Sequence, residues 1–173
     1  SKSVSIKMLK KILILSLFYF TFEIVNAEEN LKSIGKYKNW ETFTYTGSKG
    51  KICFAQTMPK ERSPKALKRE ASRLFVTFRK AEKIKNEISV TSGHIYRQSS
   101  VTAKSGKNKF ELFSQGNFAW ILDGEEEFNL IKTMKKASKL AITATAKNGN
   151  QTRDLYSMMG FTKAYNTAKK SCA

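Results

Sequence analysis

The sequence predicts a mainly β, antiparallel domain with one or two short helices. Three observations carry this. Short runs of β-branched and aromatic residues recur along the chain, Gly- and Asn-containing turn signals separate them at hairpin spacing, and only two segments have helical periodicity.

The first residues read differently from the rest. Lys7, Lys10 and Lys11 precede the apolar run Ile12–Phe22, and Val25-Asn26-Ala27 offers small residues for a peptidase. The run is shorter than the ~20 residues a membrane-spanning helix needs. A cleaved export signal over residues 1–27 is expected, followed by a single domain over residues 28–173, within the size range of one hydrophobic core.

After a polar leader, 28–38, the stretch 40–46 (WETFTYT) is aromatic and β-branched in near alternation, as a half-buried strand requires. Gly47-Ser48-Lys49-Gly50 then turns the chain into a second strand, 51–56. The same GSKGK lacks the spacing and the following Ser or Thr of a phosphate-binding loop. Residues 58–70 (MPKERSPKALKRE) hold both prolines and a run of bases, and read as an exposed basic connection. Strands are expected at 72–79 and 87–96, then at 99–103, 109–114 and 117–122, with turns at 105–108 and 115–116.

Asp123-Gly124 ends that series, and 125–137 reads as a helix. Acids fill its first turn and lysines its last, as the helix dipole favours, and Leu130, Ile131 and Met134 share one face. Two more strands, 140–146 and 151–158, flank the turn Asn148-Gly149-Asn150. In the closing segment Phe161, Ala164, Tyr165 and Ala168 fall at i, i+3, i+4 and i+7, one stripe of a short helix suited to core packing.

Charge bounds the partners. The formal net charge is +18, a field that attracts anionic surfaces. Only six of the 32 basic residues are arginine. Lysine is a hydrated point charge without the fork that reads phosphates and bases, so nucleic acid is not the expected partner. The densest basic group is Lys60, Arg62, Lys65, Lys68 and Arg69, which would serve a binding module for acidic glycans, lipopolysaccharide or anionic membrane.

Under an export signal the two cysteines, Cys53 and Cys172, are expected to pair and tie the start of the domain to its end. Catalytic and metal chemistry finds little footing. His94 is the one histidine, no Gly-x-Ser-x-Gly elbow is present, and no cysteine or histidine spacing suits zinc. The acidic run 123–127 does not match a calcium loop. A non-enzyme without metal or cofactor is expected.

The chain resembles the bacterial invasion associated locus B family. The resemblance rests on Gly149, the run Arg153-Asp154-Leu155-Tyr156-Ser157-Met158-Met159-Gly160-Phe161-Thr162, Ala164 and the closing Cys172, together with Trp40 before Cys53 and the pair Ala119-Trp120. Met158 stands where that family usually has leucine, a volume-conserving change. The lysine excess and the 58–70 loop have no counterpart in the family pattern. The resemblance implies an immunoglobulin-like antiparallel β-sandwich in the periplasm or outer envelope. It also implies an interaction or envelope-associated role, linked in some relatives to host-cell entry; with the basic charge, the expected partner is an envelope protein or an acidic glycan or lipid surface. The resemblance brings no catalytic residues.

Overall fold

The computed structural model describes residues 30–173, so the expected export signal lies outside the described residues. The strands are β1 (Leu31–Tyr37), β2 (Trp40–Gly47), β3 (Gly50–Thr57), β4 (Glu61–Ser63), β5 (Arg73–Arg79), β6 (Ile84–Thr91), β7 (Val101–Ser105), β8 (Asn108–Gln115), β9 (Phe118–Trp120), β10 (Lys139–Thr145) and β11 (Gln151–Ser157). The helices are α1 (Gly124–Lys136) and α2 (Phe161–Ser171).

Tight turns decide most of the pairing. Ser48-Lys49 joins β2 to β3 with Gly47 opposite Gly50, and Gly106-Lys107 joins β7 to β8 with Ser105 opposite Asn108. The strands form one sheet in the order β1-β2-β3-β5-β6-β9-β8-β7-β10-β11-β4. Each pairing with a resolved register is antiparallel.

The corner is β8. Its first part, Asn108–Leu112, pairs only with β7, and its last part, Phe113–Gln115, pairs only with β9. The sheet is thereby divided into a first half, β1-β2-β3-β5-β6-β9, and a second half, β7-β10-β11-β4. Inward residues of both halves, including Trp40, Ala55, Val76 and Ile88 on one side and Val101, Ala103, Ile142 and Tyr156 on the other, belong to one hydrophobic cluster. The mainly β, sandwich-like fold with two short helices is the one the sequence predicts, and residues 32–173 form one compact unit.

Both helices follow their sequence signals. The Asp123 side chain accepts the Glu126 N–H (2.9 Å) and caps α1, with Glu125–Glu127 in the first turn and Lys135 and Lys136 in the last. On α2 all four stripe residues, Phe161, Ala164, Tyr165 and Ala168, are buried against β2, β3 and β5. The stripe is core.

Three segments differ from the sequence expectation. The polar leader contains β1, whose lysine-rich pattern hides an edge strand beside β2. The 58–70 connection contains β4, which pairs with β11 through Arg62 opposite Asp154. The strand expected over 87–96 stops at Thr91 because the chain turns sharply at Gly93 (φ 74°). A Cβ on Gly93 would sit 2.0 Å from the Glu70 carbonyl oxygen, so only glycine lets these two backbones meet.

Candidate functional site

The two cysteines, the family-like run and the two arginines of the basic loop fall into two fastenings. The first is Cys53–Cys172, bonded with sulfurs 2.01 Å apart and Cα atoms 5.9 Å apart. Cys53 points inward from β3 and is fully buried, while Cys172 ends α2. The bond pins α2 to the first half of the sheet, where Trp40 packs at a tilt against Phe161 (4.9 Å) and Phe78 against Tyr165 (5.5 Å).

The residues of the family-like run serve the same end. Ser157 offers its carbonyl to the Trp40 indole N–H (3.0 Å), and the Thr42 hydroxyl donates to the Ala164 carbonyl (2.9 Å). Gly160 opens α2 with φ 91°, and a Cβ there would lie 1.9 Å from the Tyr37 carbonyl oxygen. Asparagine tolerates left-handed backbone, yet its Cβ would not fit against Tyr37.

The second fastening corrects the reading of the basic loop. Lys60, Lys65 and Lys68 are exposed, as expected of surface cations. Arg69 is not: its side chain is 2% exposed and lies against Asp154, 0% exposed, as a bidentate pair with Nη2–Oδ1 2.6 Å and Nη1–Oδ2 2.9 Å. Nη1 also donates to the Ser92 carbonyl (2.9 Å) and the Ser72 hydroxyl (3.2 Å). Arg62 turns the same way, donating to Ser72 Oγ (3.1 Å) and to the Glu70 carbonyl. Buried charges persist when paired and fully hydrogen-bonded, and Asp154 and Arg69 meet that condition. Two of the five bases proposed for binding therefore close the second half of the sheet.

His94 stands beside this network. Its Nε2 lies 2.9 Å from the Thr152 hydroxyl and its Nδ1 3.2 Å from the Ile95 carbonyl. Burial holds the imidazole below the ordinary histidine value, with the neighbouring Arg69 and Arg62 charges adding to the effect. A nucleophile–base–carboxylate relay needs an acid on the second ring nitrogen. Here that place is taken by a backbone carbonyl, Asp154 is committed to Arg69, and the Thr152 hydroxyl is buried. Burial also raises the Tyr156 phenol well above its usual range, reinforced by the nearby Asp154 charge. Among the described residues no group of three His, Cys, Asp or Glu side chains could hold a metal ion. No described helix is long and apolar enough to cross a membrane.

What remains for contact is the outer surface, and it differs between the halves. On the first half the outward positions are aromatic. Phe43 stacks on Phe54 (5.4 Å), Phe54 meets Phe75 edge-on (6.1 Å), and Trp120 lies opposite Phe113 and stacks on Phe118 (6.1 Å). On the second half the outward positions of β7, β10 and β11 include Thr102, Ala141 and Thr143. With Leu155 of β11 they form the floor of a trough rimmed by Lys104, Lys109, Lys139 and Arg153. The sequence reading passed over these cations because they are scattered over four strands. The legible signal was strand parity, which places Lys104, Thr143 and Arg153 on the face opposite Ala103, Ile142 and Asp154.

Comparison with protein-family models and with curated proteins finds no match to this chain.

Proposed function

We propose that this chain is an exported, non-catalytic envelope protein of the invasion associated locus B type, held in the periplasm or at the outer envelope and acting through surface contacts. The observation that supports the reading most is the Cys53–Cys172 disulfide, which closes the described domain nearly end to end across 119 residues. Disulfides form and persist in oxidising compartments, which fits an exported chain. The residues of the family-like run have structural duties: Asp154 pairs with Arg69, Ser157 receives Trp40, Gly160 admits Tyr37, and Phe161 packs on Trp40. With those residues committed to the core, the role falls to the exposed faces, and an envelope protein is the proposed partner class. Host-cell entry belongs to the family resemblance and stands as a proposal for this chain.

Expression with its leader in a Gram-negative host, followed by fractionation and mass mapping after thiol blocking, tests the reading. The expected product starts at Glu28, resides in the envelope fraction and has no free thiol. A cytosolic chain that keeps residues 1–27 and has two blocked thiols would overturn it.

A further inference from the structure

We propose that the outer face of the second half, with the cleft beside it, is a binding site for a linear acidic glycan. The trough over β7, β10 and β11 has Lys104, Lys109, Lys139 and Arg153 on its rim. On the other side of the β7–β8 turn, a second cleft between that hairpin and α1 is lined by Lys107, Lys109, Lys132 and Lys136. Ser105 and Lys109 line both, so the two recesses form one path around the hairpin.

The path is unbalanced in charge. All seven cations are exposed, and the carboxylates facing them are Glu126 in the cleft and Glu111, which pairs with Lys109 at 3.0 Å. Among the described residues, Lys104, Lys107, Lys136, Lys139 and Arg153 have no carboxylate partner. Like charges along a concave wall focus the field into the recess and favour an anionic chain laid within it.

The chemistry of the lining selects among polyanions. Single-stranded nucleic acid is bound by stacking bases on aromatic rings, and the one aromatic residue lining these recesses, Phe110, is buried. Lysines outnumber the single arginine, so bidentate reading of phosphates and bases has little support. A membrane surface is met by bases beside projecting apolar residues, whereas the floor here is threonine, alanine and the half-buried Leu155, and none of the exposed large apolar side chains among the described residues lines it. Hydroxyl-lined floors with lysines above them suit a sugar chain bearing sulfate, phosphate or carboxylate groups.

The proposal rests on this surface and not on the envelope reading, which can fail without it. The test titrates heparin, as a linear sulfated glycan, into the full oxidised chain and into two charge-matched variants. One, the trough variant, is Lys104→Gln/Lys107→Gln/Lys139→Gln, which removes two cations of the trough and one of the adjoining cleft, and the other is Lys60→Gln/Lys65→Gln/Lys68→Gln in the exposed loop. All six positions are solvent-exposed, and unchanged thermal unfolding would establish that both variants fold. The trough variant is expected to lose about tenfold in affinity and the loop variant less than about threefold, with binding weakening as salt rises. Equal losses would mean net charge alone, and no binding of heparin by the parent would also overturn the site. So would tighter binding to an oligothymidine or to phosphatidylglycerol vesicles at matched salt.

Discussion

The two halves of the sheet are closed by different means. The first is fastened covalently and apolarly: α2 lies on β2, β3 and β5, Phe161 and Tyr165 pack into it, and Cys53–Cys172 locks its end. The second is fastened by charge, because β4 and the segment after it lie along β11 and deliver Arg69 to the buried Asp154. The difference extends outward. The covalently closed half shows rings on its outer face, and the charge-closed half shows bases around a floor of Thr102, Ala141, Thr143 and Leu155. One basic chain thus places its cations in two ways, paired and buried within the fold at Arg69, and exposed around the trough that we propose as a glycan site.

The largest effect should come from breaking the charge fastening. Asp154→Asn leaves Arg69 buried without its counter-ion, and a loss of about 3–5 kcal/mol is expected in urea unfolding. Opening the covalent fastening comes next. Cys53→Ser/Cys172→Ser should cost about 2–5 kcal/mol, and hydrogen exchange should rise first in α2 and β3 while β11 keeps its protection. Equal loss of protection in both halves would dissolve the distinction between them.

A smaller effect is expected at Tyr156, whose hydroxyl is buried without a partner among the described residues. Tyr156→Phe should leave stability within about 1 kcal/mol of the parent or raise it, since a desolvated hydroxyl is removed. The smallest effect lies where α1 meets β6. There Glu127 accepts the Ile88 N–H (3.0 Å), and burial, with Glu87 nearby, pushes its carboxyl up to about 7 from 4.5. The folded chain holds this proton more tightly than the unfolded one. Its contribution is therefore complete below pH 4.5 and is lost as pH rises through 7. Half exposure makes the effect small. Glu127→Gln should raise the melting temperature slightly at pH 8 and leave it nearly unchanged at pH 4, and identical shifts at both pH values would remove Glu127 as the cause.

The covalent half was largely legible in the sequence. Near alternation marked β2, the 47–50 turn marked β3, an apolar and β-branched run marked β5, helical spacing marked the buried stripe of α2, and the pair of cysteines under an export-type leader marked the disulfide. Each signal is local or needs only one partner. The charge-closed half was legible on one side only. Thr152, Asp154 and Tyr156 share an inward parity, which marks Asp154 as a buried acid in need of a cation. Its partner, Arg69, sits among Lys65, Lys68 and Glu70 in a run that looks like any solvated loop. Nothing in its neighbours distinguishes it, because the choice is made by the close approach of Glu70 to Gly93 and by the β4–β11 pairing. The trough was hidden for a related reason: its cations come together only when β7, β10 and β11 are placed side by side.

The decisive measurement is a double-mutant cycle on Arg69→Met and Asp154→Leu, read by urea unfolding of the oxidised chain. A buried, mutually dependent pair requires strong coupling. The double variant should recover much of what each single loses, with a coupling energy of about 2–3 kcal/mol. Losses that add to within about 0.5 kcal/mol would make Arg69 an independent surface cation and contradict the charge fastening of the second half.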